Sequence, residues 1–179
     1  MKNKNQSLFI AAEFLLSMTQ TRSVGNDCRS SWSQEHLQWN RVLLQTTAIP
    51  GQQPPTILPQ RSYAMMHLAM FDAVNSIDGS HTPYLTDVPA TRYSSIQAAA
   101  AQAARDVLAA LYPGQTAVFD MELAHSLEGI RFNRLDQGVR IGQIAAERML
   151  ASRANDGWNA PLPPFMLSPT PGNWQPTPP

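Results

Sequence analysis

Where this chain can be helical is decided by its prolines. A pyrrolidine ring has no N–H to donate and clashes with the turn before it, so an interior proline ends or kinks a helix. The chain carries fifteen in 179 residues. Eight of them crowd into residues 161–179, and the others punctuate the stretch from Pro50 to Pro113. Three zones result: a polar head over residues 1–31, a helical body over 32–157, and a proline-rich connector over 158–179. From position 160 onward extended or polyproline II backbone is expected.

Between these breaks the body reads as five helices. Residues 34–48 place Leu37, Trp39, Val42, Leu43 and Leu44 in a rough helical stripe. Ser33 is positioned to cap it, Pro50-Gly51 ends it, and Pro54-Pro55 forbids an immediate restart. Over 60–78, at 100° per residue, Tyr63, Met66, Met70, Val74 and Ile77 fall within an arc of about 80°. Met65 and Leu68 lie opposite, so this helix is apolar nearly all round and is expected to be buried centrally, ending at Asp78-Gly79. Residues 95–111 are alanine-rich, which favours helix and lets neighbouring helices approach closely, until Tyr112-Pro113-Gly114 stops them. Thr116 is expected to cap a helix over 117–129. Asp136 opens a fifth, 137–154, with Val139, Ala146, Met149 and Leu150 on its apolar side and Asn155-Asp156-Gly157 as its stop. No run alternates with period two for long enough to be a strand, so the fold class is all-α, a helical bundle joined by Pro/Gly turns.

Charge removes several functions. Thirteen Lys and Arg balance thirteen Asp and Glu, so there is no basic excess to neutralise phosphates and no nucleic-acid partner is expected. The one cysteine, Cys28, excludes an internal disulfide framework and the multi-cysteine metal motifs. It sits in a polar segment expected to lie outside the helices, and is read as incidental rather than nucleophilic. Both lysines, Lys2 and Lys4, precede an apolar stretch over 8–18 that is interrupted by Glu13. That stretch reads either as a short helix upstream of the domain or as an export signal without a clear A-x-A site, which would send the chain to the periplasm rather than the cytoplasm. No run approaches the ~20 apolar residues that cross a bilayer, so no membrane span is expected.

Candidate chemistry is sparse. His67 and Asp72 suggest an acid–base pair, yet helical spacing turns them about 140° apart. His67 reads as a core histidine, and Asp72 as a carboxylate needing a partner from elsewhere, in an ion pair or cap, or else a functional acid with raised pKa. Glu122 and His125 match half of a di-iron E-x-x-H pattern, but no second copy exists, and His36, His67, His81 and His125 lack H-x-x-x-H spacing. No P-loop, G-x-S-x-G or G-x-G-x-x-G is present. No catalytic, cofactor-binding or metal residue is assigned.

The strings WNRVLLQ at 39–45 and RSYAMMHLAMFDAVN at 61–75 resemble the start of bacterial vanadium-dependent haloperoxidase-like proteins, in the type 2 phosphatidic-acid phosphatase superfamily. The resemblance continues through the alanine-rich segment, LYPGQ at 111–115, RANDG at 153–157 and WQPTPP at 174–179. It spans residues 37–179; the string RFNR at 131–134 departs from the Pro-Asp-Gly turn expected there. The family implies a helical bundle holding vanadate, or phosphate in the phosphatases, with Lys and Arg in one motif, a Ser-Gly-His segment and a later Arg–His motif. Fixed cations and backbone donors neutralise such an oxyanion, and a bound metal would polarise peroxide.

This chain departs from that pattern. Neither lysine begins K-x6-R-P, Gly79-Ser80-His81 has the wrong order, and Arg153 is not followed by histidine. The resemblance therefore implies an N-terminal scaffold whose vanadate site, for peroxide-dependent halide oxidation, belongs to a catalytic bundle C-terminal to residue 179. That missing bundle is the expected partner, with a second copy of the chain as another. Two alternatives stand beside it: a self-sufficient helical interaction module with a polyproline tail, and the scaffold of an acid-phosphatase-type phosphohydrolase.

Overall fold

A computed structural model describes residues 24–52, 58–161, 167–168 and 170–175, without the side chains of 24–32 and 58. The apolar stretch over 8–18, the two lysines, Pro54-Pro55 and most prolines of the connector lie outside the described residues. Within the described residues five helices follow in order: α1 (Val24–Thr47), α2 (Leu58–Asp78), α3 (Ile96–Leu111), α4 (Thr116–Leu127) and α5 (Phe132–Ser152), with a 3-10 turn at Pro113–Gln115 before α4. Among the described residues there is no strand. The fold is all-α.

The alanine-rich helix α3 is the one that all the others pack against. Ser95 caps it, its Oγ accepting from the Ala98 N–H at 3.2 Å. Ala98–Ala101, Ala103 and Ala104 are fully buried, because methyl-sized side chains let four helices crowd onto one. The closest neighbour is α5, where Gly138 and Gly142 face α3. A Cβ on Gly138 would stand 2.5 Å from the Ser95 carbonyl oxygen, and one on Gly142 2.5 Å from that of Ala99. The two backbones touch. The Ser95 N–H also donates to the Arg134 carbonyl at 3.0 Å.

Larger side chains fill the space around this contact. Trp39 and Leu43 from α1, Met66 and Met70 from α2, and Phe119 from α4 are entirely enclosed. Tyr112 plugs the end of α3 and donates its hydroxyl to Ser62 Oγ at 3.0 Å, with burial pushing its pKa up. The core is continuous across all five helices.

Several sequence expectations change. The 60–78 helix is enclosed, with only Gln60, Ala64 and Asp78 exposed among its described side chains, but the central place belongs to α3. Helix α1 starts at Val24, not near 34, so Ser33 lies within the helix instead of capping it. The boundary expected at 31/32 falls inside α1, and the backbone of Cys28 is helical. Thr116 does not cap α4: its hydroxyl donates to the Pro113 carbonyl at 2.8 Å, and the helix grows directly from the 3-10 turn. Helix α5 begins at Phe132, because the Arg134 and Leu135 N–H groups both reach the Arg131 carbonyl and start the helix a turn before Asp136. Its buried face is Gly138, Ile141, Gly142, Ala145, Ala146 and Met149, while Val139 and Leu150 are half-buried. In the connector, Gly172 (φ +93°) and Asn173 form a tight turn, Asn173 Nδ2 donating to the Ser168 carbonyl at 3.0 Å; the extended backbone expected there is interrupted.

Candidate functional site

The polar residues of α2 converge on the segment that follows it. Asp72 is buried, yet both oxygens are occupied: Oδ1 accepts from the Tyr84 N–H at 2.7 Å, and Oδ2 from Leu85 at 2.9 Å and Thr86 at 3.0 Å. One turn on, the Asn75 side chain holds His81 at both backbone groups, donating to its carbonyl at 2.7 Å and accepting its N–H at 2.9 Å. Ser76 Oγ accepts from the Val88 N–H at 2.9 Å while donating to the Asp72 carbonyl. A carboxylate, an amide and a hydroxyl on one helix face thus satisfy the backbone donors of a segment with no regular structure.

Arginines tie the same segment to the end of α5. Arg148 bonds the Thr86 hydroxyl, and Arg153 donates to the Tyr84 hydroxyl at 2.5 Å. From the start of α2, Arg61 Nε reaches Asp156 Oδ2 at 2.9 Å, and its Nη2 reaches the Arg153 carbonyl at 2.8 Å. The Arg61 guanidinium also lies 5.1 Å from the Trp158 ring centroid, within cation–π range. The Arg61 bond, helped by the Trp158 N–H, holds the Asp156 carboxyl below its ordinary range. The cluster is a joint between α2, the 79–95 segment and the end of α5.

His67 is separate from Asp72 and faces α1. Its Nε2 donates to Asn40 Oδ1 at 3.1 Å, and its ring lies 4.5 Å, centroid to centroid, from that of His36. Burial first, and then the charge of His36, lower its pKa. On another face of α1, the buried carboxylate of Glu35 accepts from Ser126 Oγ at 3.0 Å and Gln97 Nε2 at 3.2 Å. Burial outweighs these donors and raises its pKa.

The other candidates do not assemble. Glu122 accepts from Gln38 Nε2 at 2.9 Å, and His125 is exposed, 3.7 Å from Glu128. His81 is exposed beside Ser80, whose hydroxyl lies 2.7 Å from Nδ1. Among the described residues no three His, Cys, Asp or Glu side chains gather to hold a metal ion. Among the described residues, one shallow groove of about 420 Å³ lies beside Glu35, Arg41 and His125, and another of about 380 Å³ between Val88 and Ile144. Vanadate needs several cations converging on one point, whereas Arg61, Arg148 and Arg153 are turned onto protein partners. This joint does not fit it.

Sequence reasoning singled out Asp72 but missed Arg61, Asn75 and Ser76 as its companions, and missed Glu35 altogether. Glu35 shares a helical face with Trp39, Val42 and Thr46, and that spacing was a usable signal. Comparison with protein-family models, with curated proteins and with solved structures finds no match to this chain.

Proposed function

We propose that this chain is the N-terminal helical scaffold of a vanadium-dependent haloperoxidase-like enzyme, and that it does no oxyanion chemistry itself. The observation that supports this reading is where the resembling strings meet. Arg61, Asp72 and Asn75 come from one string, Arg153 and Asp156 from another, and their side chains interlock in the joint. The polar side chains that these two strings bring to the joint are accounted for by architecture, as a scaffold requires. Peroxide-dependent halide oxidation belongs on this reading to the complete protein, where vanadate would supply the Lewis acid.

The test uses purified residues 1–179 and the codons that follow Pro179. Expected are no stoichiometric vanadate binding, no bromination of an organic acceptor with peroxide and bromide, and downstream codons for K-x6-R-P and S-G-H. Stoichiometric vanadate binding, or downstream codons without those motifs, would overturn the proposal. Phosphate-ester hydrolysis by the complete protein without peroxidase activity would move it to the phosphatase branch.

A second reading, a self-sufficient interaction module, is favoured by the continuous core, in which Trp39, Leu43, Met66 and Phe119 are fully enclosed by this chain alone. It predicts a chain that stays monomeric at micromolar concentration without any partner. The scaffold reading predicts association or capture of the catalytic bundle through exposed side chains such as Leu37, Leu44 and Met121.

A further inference from the structure

The contact between α1 and α2 is brief, since α1 packs chiefly on α3. At that contact two half-buried imidazoles face each other. We propose that His36 and His67 form a proton-operated latch: the packed rings hold α1 against α2, and a second proton on His67 loosens α1 around His36.

The chemistry of the pair carries the argument. The bond from His67 Nε2 to Asn40 Oδ1 places the neutral ring's proton on Nε2. Its Nδ1 is buried and has no hydrogen-bond partner. A second proton would therefore create a buried N–H with no acceptor, beside a ring only 4.5 Å away that would carry the same charge. Burial and His36 both act in that direction on His67. Around the pair, Tyr63 lies 6.4 Å from His67, Arg41 is exposed, and Arg61 is committed to Asp156. Glu35 precedes His36 but is bonded to Gln97 and Ser126, and His125 on α4 acts on Glu35. Farther along α1, the enclosed Trp39, Val42 and Leu43 keep the helix attached, so the response is local.

The sign follows from proton counting. His67 binds its proton less readily when folded than when unfolded, so the latch is fully closed above the ordinary histidine value of 6.5 and weakens as pH falls below it. The test is amide hydrogen exchange on the whole chain at pH 7.5 and 5.5, corrected for intrinsic rates, together with NMR titration of the four histidines. Protection of the α1 amides around His36 should fall several-fold at the lower pH, while α3 keeps its own. The His67 imidazole should take its proton only below the ordinary histidine value of 6.5. In His67→Gln the α1 response should disappear, and in Glu35→Gln it should persist. Equal α1 protection at both pH values, or a His67 imidazole that charges at or above 6.5, would overturn the latch. The wild-type titration decides the matter even where a variant fails to fold.

Discussion

Asp72 shows how a single residue can set the shape of a segment it does not belong to. A carboxylate on an otherwise apolar helix face signals in the sequence that a partner is required. Which partner was not legible, because the three N–H groups it binds lie on irregular backbone that no periodicity describes. Asp72→Ala should cost about 2–4 kcal/mol in urea denaturation, since it strands those donors, and Asp72→Asn about half as much. A loss below about 1 kcal/mol for the alanine variant would show that the segment holds its shape unaided. Glu35 behaves in the opposite way. Its raised pKa means that the ionised form is a burden above its own titration, relieved as pH falls toward the ordinary value of 4.5. Glu35→Gln should therefore gain stability relative to wild type at pH 7.5, and that gain should shrink by pH 4.5.

Helices were the most legible feature, and their ends the least. The apolar spacing of α2 and the composition of α3 place both elements within a residue or two. The start of α5 went unread because Arg131 leads into it without a side-chain bond, and Ser33, read as the cap of α1, lies inside that helix. The contact between α3 and α5 was half legible. Alanine announced close approach, but the two glycines that complete it add no hydrophobic signal, so the apolar stripe of α5 was drawn too far toward Val139. Gly142→Ala should cost about 1–3 kcal/mol or more, because the new methyl meets backbone that cannot move aside. Gln143→Ala, one residue along on the exposed side, should stay within about 0.5 kcal/mol. Thermal or urea unfolding of the pair distinguishes the two positions.

At the scale of the molecule, the five described helices share one core around an alanine-rich axis, and unfolding of the body should be a single transition. Its pH dependence should have two limbs. Stability should fall as pH drops through about 6.5, where His67 takes a proton more readily unfolded than folded. It should partly recover toward 4.5 as Glu35 is neutralised, and that recovery should be missing from Glu35→Gln. The Arg61–Asp156 contribution is lost only at more acid pH, as pH falls through the depressed pKa of Asp156. The oxyanion chemistry implied by the resemblance was legible only as a pattern this chain departs from, and the joint of Arg61, Asp72 and Arg153 was not legible at all, because its members are distant in sequence and meet only when α2 and α5 are side by side.

The 79–95 segment takes its form from α2, and this has a consequence for how it tolerates change. Surface loops ordinarily accept insertions with little penalty. Here the anchors are spaced by residue count: Asn75 grips position 81, Asp72 positions 84–86, and Ser76 position 88. Side chains that point outward between them, such as Thr82 and Asp87, are free to drift. The length between anchors is not, and one residue inserted after Asp87 would pull Val88 off Ser76 even if every original side chain were kept.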